Sequence, residues 1–243
     1  MSIQEPTSRY SVIDCKNPRE ILLLRGSGCK WRRCTFCDYH LDFSRDEEAN
    51  FNLNREELKK ITGCYGVLEV INSGSFCDLD EKTMALIRSI CAEKKISQIH
   101  FECHWMHKDE IAGIRDYFAQ KNIQVKIKLG VETFDSGYRE NVLKKGIDTD
   151  SPEEIARYAQ EVCLLFGLSG QTLDSMKRDI ETGLRYFERV CVNIMVANST
   201  KIKPDNEVIR IFRDNLYPLY MDNPRVDILM ENTEFGVGDK YEE

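Results

Sequence analysis

The sequence predicts an α/β protein: a partial, open parallel β/α barrel of about six βα units. Three observations lead there. Short apolar runs alternate with longer amphipathic stretches along the whole chain. The spacing from run to run, roughly 25–35 residues, is that of βαβ units. The runs are rich in Val, Ile and Leu without clean polar alternation, as strands buried on both faces are.

In chain order, the runs lie at 21–24, 67–71, 96–101, 123–129, 162–168, 190–196 and 226–229. Helical patterns fall between them, near 54–63, 81–94, 108–121, 137–145, 172–189 and 205–216. Right-handed crossovers turn such a series into a barrel or an open doubly wound sheet. Six or seven units fall short of an eight-fold barrel of ~250 residues, so the partial barrel is expected. Six prolines are scattered, and no repeat or Pro/Gly/Ser linker divides the chain. One domain over residues 1–243 is therefore expected.

The chain has 243 residues, with 34 Lys and Arg against 41 Asp and Glu, a formal net charge of −7. At 42% hydrophobic and 31% charged residues it has the balance of a globular protein. A chain this long buries roughly 70–75% of its unfolded surface, so folding needs no disulfide or metal. The acidic balance argues against an extended nucleic-acid surface, which has to be basic. The longest apolar stretches are far short of the ~20 residues of a spanning helix, so no membrane partner is expected. The start, MSIQEPTSRY, lacks a basic segment followed by an apolar one, so no secretory signal is expected and the cytoplasm is the default compartment. Ten cysteines are then expected to be reduced thiols or metal ligands.

Both parallel architectures place chemistry at the carboxyl ends of the strands. The segments there are RGSGC, NSGSFCD, ECHW, GVETFD, GLSGQT, ANST and ENTEFGVGD. They hold much of the chain's Gly, Ser, Thr and Asn, which points to a polar site built on strand ends.

Cys29, Cys34 and Cys37 lie within nine residues, C-KWRR-C-TF-C. Three thiols in a Gly-flanked loop make poor core, and soft thiolates select Zn, Cu(I) or iron–sulfur clusters. With His40 they make a candidate closed zinc site. An iron–sulfur cube on three thiolates instead leaves one iron open to a small molecule. The other seven cysteines are dispersed and are expected to be small buried hydrophobes.

The loop C-x4-C-T-F-C, directly after the first apolar run, resembles the cluster loop of radical S-adenosylmethionine (SAM) enzymes, where C-x3-C-x2-C is usual. This chain has one residue more in the first gap. NSGSFCDLDE at 72–81 resembles the segment after the second strand in the branch of the Elongator catalytic subunit and the archaeosine synthase radical SAM subunit. Glu102 matches the Glu ending the third strand there. GVETFDSGYRENVLKKG at 130–146 resembles a segment shared with oxygen-independent coproporphyrinogen oxidases. The four motifs occur in order over almost the whole chain.

The resemblance implies one radical SAM domain, with a cluster loop at 26–44 and a strand and loop at 225–243 completing the substrate pocket. It implies a [4Fe-4S] cluster on Cys29, Cys34 and Cys37, and SAM chelated to the open iron. Reductive cleavage of SAM gives a 5′-deoxyadenosyl radical that takes hydrogen from substrate. An electron donor such as flavodoxin or ferredoxin is implied. Phe36 would stack near the adenine, and the Ser73–Gly74–Ser75 backbone would receive the SAM ammonium. Glu102 and Glu132 would bind the ammonium or ribose hydroxyls, and Lys145 the carboxylate. These roles also suit elementary chemistry: a dication seeks carboxylates, and glycine lets backbone approach a ligand. Asp78 is expected to cap the helix that follows it.

For substrate, ECHWMH places His104, Trp105 and His107 at the mouth of the third strand, as a packed pair or as a platform with a hydrogen-bonding edge. Glu231, Asn232 and Asp239 in the acidic last loop are candidates for the donor edge of a guanine-like ring, or belong to a solvated tail. The archaeosine branch acts on a 7-deazaguanine and breaks a C–N bond. Acidity and compactness favour a free modified 7-deazaguanine base over tRNA, and hence a lyase. The alternatives are a radical SAM enzyme modifying tRNA or peptide, and a non-catalytic zinc-binding module.

Overall fold

The structure, a computed structural model, describes residues 8–237 apart from the side chain of His40. The chain forms two compact units. Asp239 lies outside the described residues.

The first unit comprises residues 1–32, 39–127 and 235–243. It contains β1 (Tyr10–Ile13), β2 (Arg19–Leu24), β3 (Val67–Asn72) and β4 (Gln98–Cys103). β1 runs antiparallel to β2, while β2, β3 and β4 are parallel neighbours. Helices α1 (Glu47–Leu58), α2 (Glu81–Glu93) and α3 (Ile111–Ala119) follow β2, β3 and β4 in turn. The interiors of β2 and β3 are buried apart from Leu23 and Ile71, and Glu69 is buried among the apolar residues of β3. Ile13 and Ile21 pack with Val237, against Leu23, Ile71 and Phe235. A buried Arg19–Glu69 ion pair joins β2 to β3, with the Arg19 guanidinium over the Phe235 ring at 4.9 Å.

α1 begins at residue 47, where the apolar pattern placed it near 54. The reason is polar. Its buried face is Asn50, Asn54 and Leu58. Asn54 accepts from the Arg25 amide at 2.9 Å and donates to the Arg25 carbonyl at 2.8 Å. Asn50 accepts from Arg25 Nε at 3.0 Å. These bonds satisfy buried polar groups at the exit of β2 and steer the loop beyond it.

The second unit comprises residues 33–38 and 128–234. It receives most of β5 (Gln124–Glu132), then β6 (Glu161–Phe166), β7 (Arg189–Ile194) and β8 (Val226–Leu229), all parallel. Helices α4 (Ser136–Asn141) and α5 (Pro152–Ala156) lie between β5 and β6. α6 (Leu173–Tyr186) lies between β6 and β7, and α7 (Asn206–Asn215) and α8 (Tyr217–Tyr220) between β7 and β8. At the strand starts, buried Arg189 pairs with Glu161 at 2.8 Å and Asp227 at 3.5 Å, tying β6, β7 and β8 together. The opposite, carboxyl ends carry the polar loops.

Candidate active site

In the first unit the loops after β2, β3 and β4 interlock. The Cys29 amide donates to the Ser73 carbonyl at 3.1 Å. Gly74 is packed so closely that a Cβ there would lie 2.3 Å from Asp78 Oδ2 and 3.1 Å from the Cys29 nitrogen. Any side chain at 74 would push the cysteine loop off the turn. The Ser75 amide donates to Asp78 Oδ2 at 2.8 Å, and the Ser75 hydroxyl accepts from the His104 amide at 2.9 Å. Asn72 Nδ2 donates to the Ser75 carbonyl at 3.1 Å.

Asp78 does not cap α2. Asp80 does, accepting from the Thr83 amide at 2.8 Å. Asp78 turns back instead onto the Ser73–Gly74–Ser75 turn and is 3% exposed. Its Oδ1 has no partner, and neither has Oδ1 of Asn72, which is 6% exposed. Burial raises the Asp78 carboxyl pKa, against the Ser75 amide and the positive fields of His107, Lys30 and Arg32.

His104 Nδ1 accepts from the Met106 amide at 3.2 Å, and its ring stacks on Trp31, centroids 5.3 Å apart and planes 25° apart. Trp105, 2% exposed, belongs to the core. His104 thus stacks on the tryptophan of the cysteine loop. Glu102 is half-buried in β4.

In the second unit, Phe36 is buried with Leu143, Leu165, Leu168 and Met195, flanked by Cys34 and Cys37. The loop is pinned from several sides. Thr35 donates to the carbonyls of Leu143 (3.1 Å) and Val142 (2.7 Å). Asn198 donates to the Phe36 carbonyl at 2.7 Å, and Asp38 accepts from the Ser199 amide and hydroxyl at 2.9 and 3.0 Å. Asn198 and Ser199 belong to the ANST segment after β7, whose role no motif indicated.

Lys145 Nζ lies 2.8 Å from Glu132 Oε1, both residues buried, and 5.8 Å from the Phe36 ring centroid. Burial works to lower the Lys145 pKa; Glu132 and the thiols of Cys34 and Cys37 outweigh it and raise it. Glu132 sits at φ 70°, beyond a register shift at Gly130/Glu132 in β5. A non-glycine residue there needs support from its surroundings. Asp179 on α6 provides some, accepting from the Phe134 amide at 2.8 Å and from the Thr133 hydroxyl. Burial pushes the Asp179 carboxyl up to about 6, against those two donors.

The last loop closes on itself. The carboxylate of Glu234 accepts from the amides of Glu231 (2.9 Å) and Thr233 (3.0 Å). Glu231 is exposed, and Asn232, at φ 59°, donates to the Ile194 carbonyl at 3.2 Å.

All ten cysteines are thiols outside disulfides. Of the seven dispersed ones, Cys91, Cys103 and Cys191 are buried as expected, Cys77 and Cys163 are half-buried, and Cys15 and Cys64 are exposed. Cys29, Cys34 and Cys37 are half-buried. Among the described residues no three His, Cys, Asp or Glu side chains are gathered tightly enough to hold a metal ion. The donor set nevertheless fits an iron–sulfur cluster with SAM. It offers three soft thiols within nine residues of the chain, the ligand type that such clusters take.

A three-cysteine loop behind the first parallel strand of an α/β fold is the arrangement of a radical SAM enzyme. No protein-family model matches the chain, and no curated protein does. Solved structures do. Queuine lyase from Clostridium spiroforme, bound to SAM and queuine, is 44% identical, over 95% of this chain and 99% of that one, with a TM-score of 0.91. SuiB of Streptococcus suis, alone and bound to SAM, is 14% identical over 86% of this chain and 49% or 50% of that one. Its TM-scores of 0.53 and 0.54 bear on the fold alone. The chain belongs to the queuine lyase family of radical SAM enzymes. The fold is the partial parallel β/α barrel expected from the apolar runs.

Proposed function

We propose that this enzyme is a queuine lyase, cleaving a C–N bond of queuine to release 7-aminomethyl-7-deazaguanine for queuosine salvage. The observation that carries the reading is the 44% identity to queuine lyase over nearly the full length of both chains. A [4Fe-4S] cluster and SAM, when bound, supply the 5′-deoxyadenosyl radical that abstracts hydrogen from the substrate.

The chain's own residues bind and orient. We assign Cys29, Cys34 and Cys37 as the cluster thiolates. Thr35, Phe36 and Asp38 hold the loop to its surroundings through their hydrogen bonds. Phe36 offers its ring to the adenine. The Ser73–Gly74–Ser75 turn, held against Cys29 by the Ser73 carbonyl, faces the methionyl end of SAM. Glu102 and Glu132 accept from ribose hydroxyls or ammonium, and Lys145 takes the carboxylate. Glu132 and Lys145 neutralise each other in the structure, so ligand binding exchanges one buried pairing for two.

On the substrate side, His104 gives a ring edge and, with Trp31, a planar surface. Glu231, Asn232 and Asp239 are the acceptors for the purine-like donor edge. Residues 1–243 work as one domain, a redox protein such as flavodoxin or ferredoxin supplies the electron, and no extended nucleic-acid surface is used. Its place of action is the cytoplasm; no helix among the described residues is long and apolar enough to cross a membrane.

The test is anaerobic reconstitution followed by SAM and reductant, with and without queuine. About four irons per chain are expected, with queuine-dependent formation of 5′-deoxyadenosine and 7-aminomethyl-7-deazaguanine. Four irons with no effect of queuine would return the substrate to the wider radical SAM class. Zinc in place of iron would overturn the enzyme reading.

A further inference from the structure

We propose that Arg32 is a positioning residue of the cysteine loop, holding Cys29 in place for the cluster by gripping its backbone carbonyl. The proposal rests on the reading that Cys29 is a cluster ligand. It adds a side chain that lies inside the longer first gap of the motif.

Four residues, Lys30 to Arg33, separate Cys29 from Cys34. Extended, those steps would carry the chain roughly 17 Å, at about 3.3–3.6 Å per residue. A loop whose cysteines serve one cluster therefore has to bend. Arg32 takes such a bend: its φ is 48°, in the left-handed region. A non-glycine residue there is strained and persists only when its surroundings hold it. The Arg32 side chain supplies the hold. Its Nε donates to the Cys29 carbonyl at 2.7 Å, closing from i to i+3 the kind of turn that a backbone amide commonly closes. The Cys29 amide is bonded in its turn to the Ser73 carbonyl at 3.1 Å. Both polar backbone atoms of Cys29 are thereby fixed.

The guanidinium is itself seated. It lies over the Phe43 ring, 4.5 Å from the centroid, a cation–π distance. Gly28, at φ 87°, leaves room for it: a Cβ there would lie 2.8 Å from Arg32 Nη2 and 2.9 Å from Phe43 Cβ and Cγ. Phe43 is anchored in turn. Its backbone bridges to Gly26, and the Ser44 amide donates to the Gly26 carbonyl at 3.2 Å. Its neighbour Asp42 accepts from both terminal nitrogens of Arg9, at 2.8 and 3.1 Å. A chain of contacts thus runs from Arg9 through Asp42, Phe43 and Arg32 to Cys29. Lysine could not replace arginine in it. Its ammonium has no planar face to lie on the ring while a separate N–H reaches the carbonyl.

The experiment reconstitutes the parent and its variants anaerobically and measures iron per chain and the rate of iron loss to an excess of chelator. Thermal melting of the iron-free proteins is followed alongside. Arg32→Ala should lose iron roughly three- to tenfold faster than the parent, the range for one hydrogen bond to a charged donor. Arg32→Lys should do no better than Arg32→Ala. Phe43→Leu should fall between Arg32→Ala and the parent. Combined with Arg32→Ala it should add nothing, because the two act through one contact. Lys30→Ala removes the same charge one residue from Cys29 and should keep the parent rate. The iron-free Arg32 variants should melt with the parent. The proposal is overturned if Arg32→Ala and Arg32→Lys hold iron as the parent does, or if Lys30→Ala loses it as fast as they do. It is also overturned if iron-free Arg32→Ala melts well below the parent or does not fold, since Arg32 would then hold the fold and not Cys29. Failure of the cluster reading has a different sign: the parent itself takes up no iron, and the inference falls with it.

Discussion

Lys145 and Glu132 meet 2.8 Å apart directly above the backbone of Gly130, where a Cβ would lie 2.8 Å from both Glu132 Oε1 and Lys145 Nζ. Gly130→Ala should therefore displace the pair. Overpacking of this kind costs about 1–3 kcal/mol, and SAM affinity should fall with it. Lys145→Ala should cost more, about 3–5 kcal/mol, because it leaves the Glu132 carboxylate buried and alone. Denaturant unfolding of the two variants checks both figures. Equal stability of Lys145→Ala and the parent would contradict the pairing.

The three loop cysteines should separate chemistry from folding. Replacing Cys29, Cys34 or Cys37 with Ala should remove the iron and all SAM cleavage while leaving the far-ultraviolet circular dichroism unchanged. Iron analysis and a 5′-deoxyadenosine assay give the readout. Full turnover in Cys34→Ala would sink the cluster assignment.

Asp179 predicts a pH dependence. Its folded pKa, about 6, is raised above the ordinary 3.8. Between those values the folded state holds the proton more tightly than the unfolded chain, so this residue's contribution to stability falls as pH rises. The loss is complete above the folded value and amounts to about 3 kcal/mol at 1.36 kcal/mol per unit. Asp179→Asn should remove that slope. Unfolding free energies of both proteins at pH 4 and pH 7 test it: the parent should lose ground to the variant on going up in pH. A constant difference would refute it.

The Trp31–His104 stack should act on substrate binding. Trp31→Ala should raise KM for queuine several-fold, roughly two- to tenfold for an aromatic contact of 0.5–1.5 kcal/mol. kcat should change little, and Trp31→Phe should restore most of the loss. A fall in kcat at constant KM would place Trp31 elsewhere in the cycle.

How far these features could be read from sequence depended on distance along the chain. Each of the seven apolar runs became a parallel strand, because a short stretch dense in Val, Ile and Leu reports burial directly. β1 was missed: four residues long, antiparallel and with Val12 exposed, it has no such run. The start of α1 was missed because its inward face is asparagine, and apolar periodicity does not register asparagine. The loops after the strands were legible as polar segments, but their pairings were not. Glu132 and Lys145 are thirteen positions apart and Phe36 and Asn198 far more, with nothing local to link them. Asp78 looked like a cap because it precedes a helix. In the structure its carboxylate turns back to accept from the Ser75 amide. Trp105 looked accessible at a strand end, yet the loop turns it inward and leaves Trp31 to meet His104.

Phe235 and Val237 fill the first unit from the far end of the chain, packed with Ile13 and Ile21. A ribosome finishes β1 and β2 long before it makes these two residues, and it must first synthesise all of the second unit. During that interval the nascent first unit lacks part of its apolar filling, and the Arg19–Glu69 pair lacks the ring that covers it. Synthesis order thus delays completion of the half that holds Cys29 until the half that holds Cys34 and Cys37 has emerged.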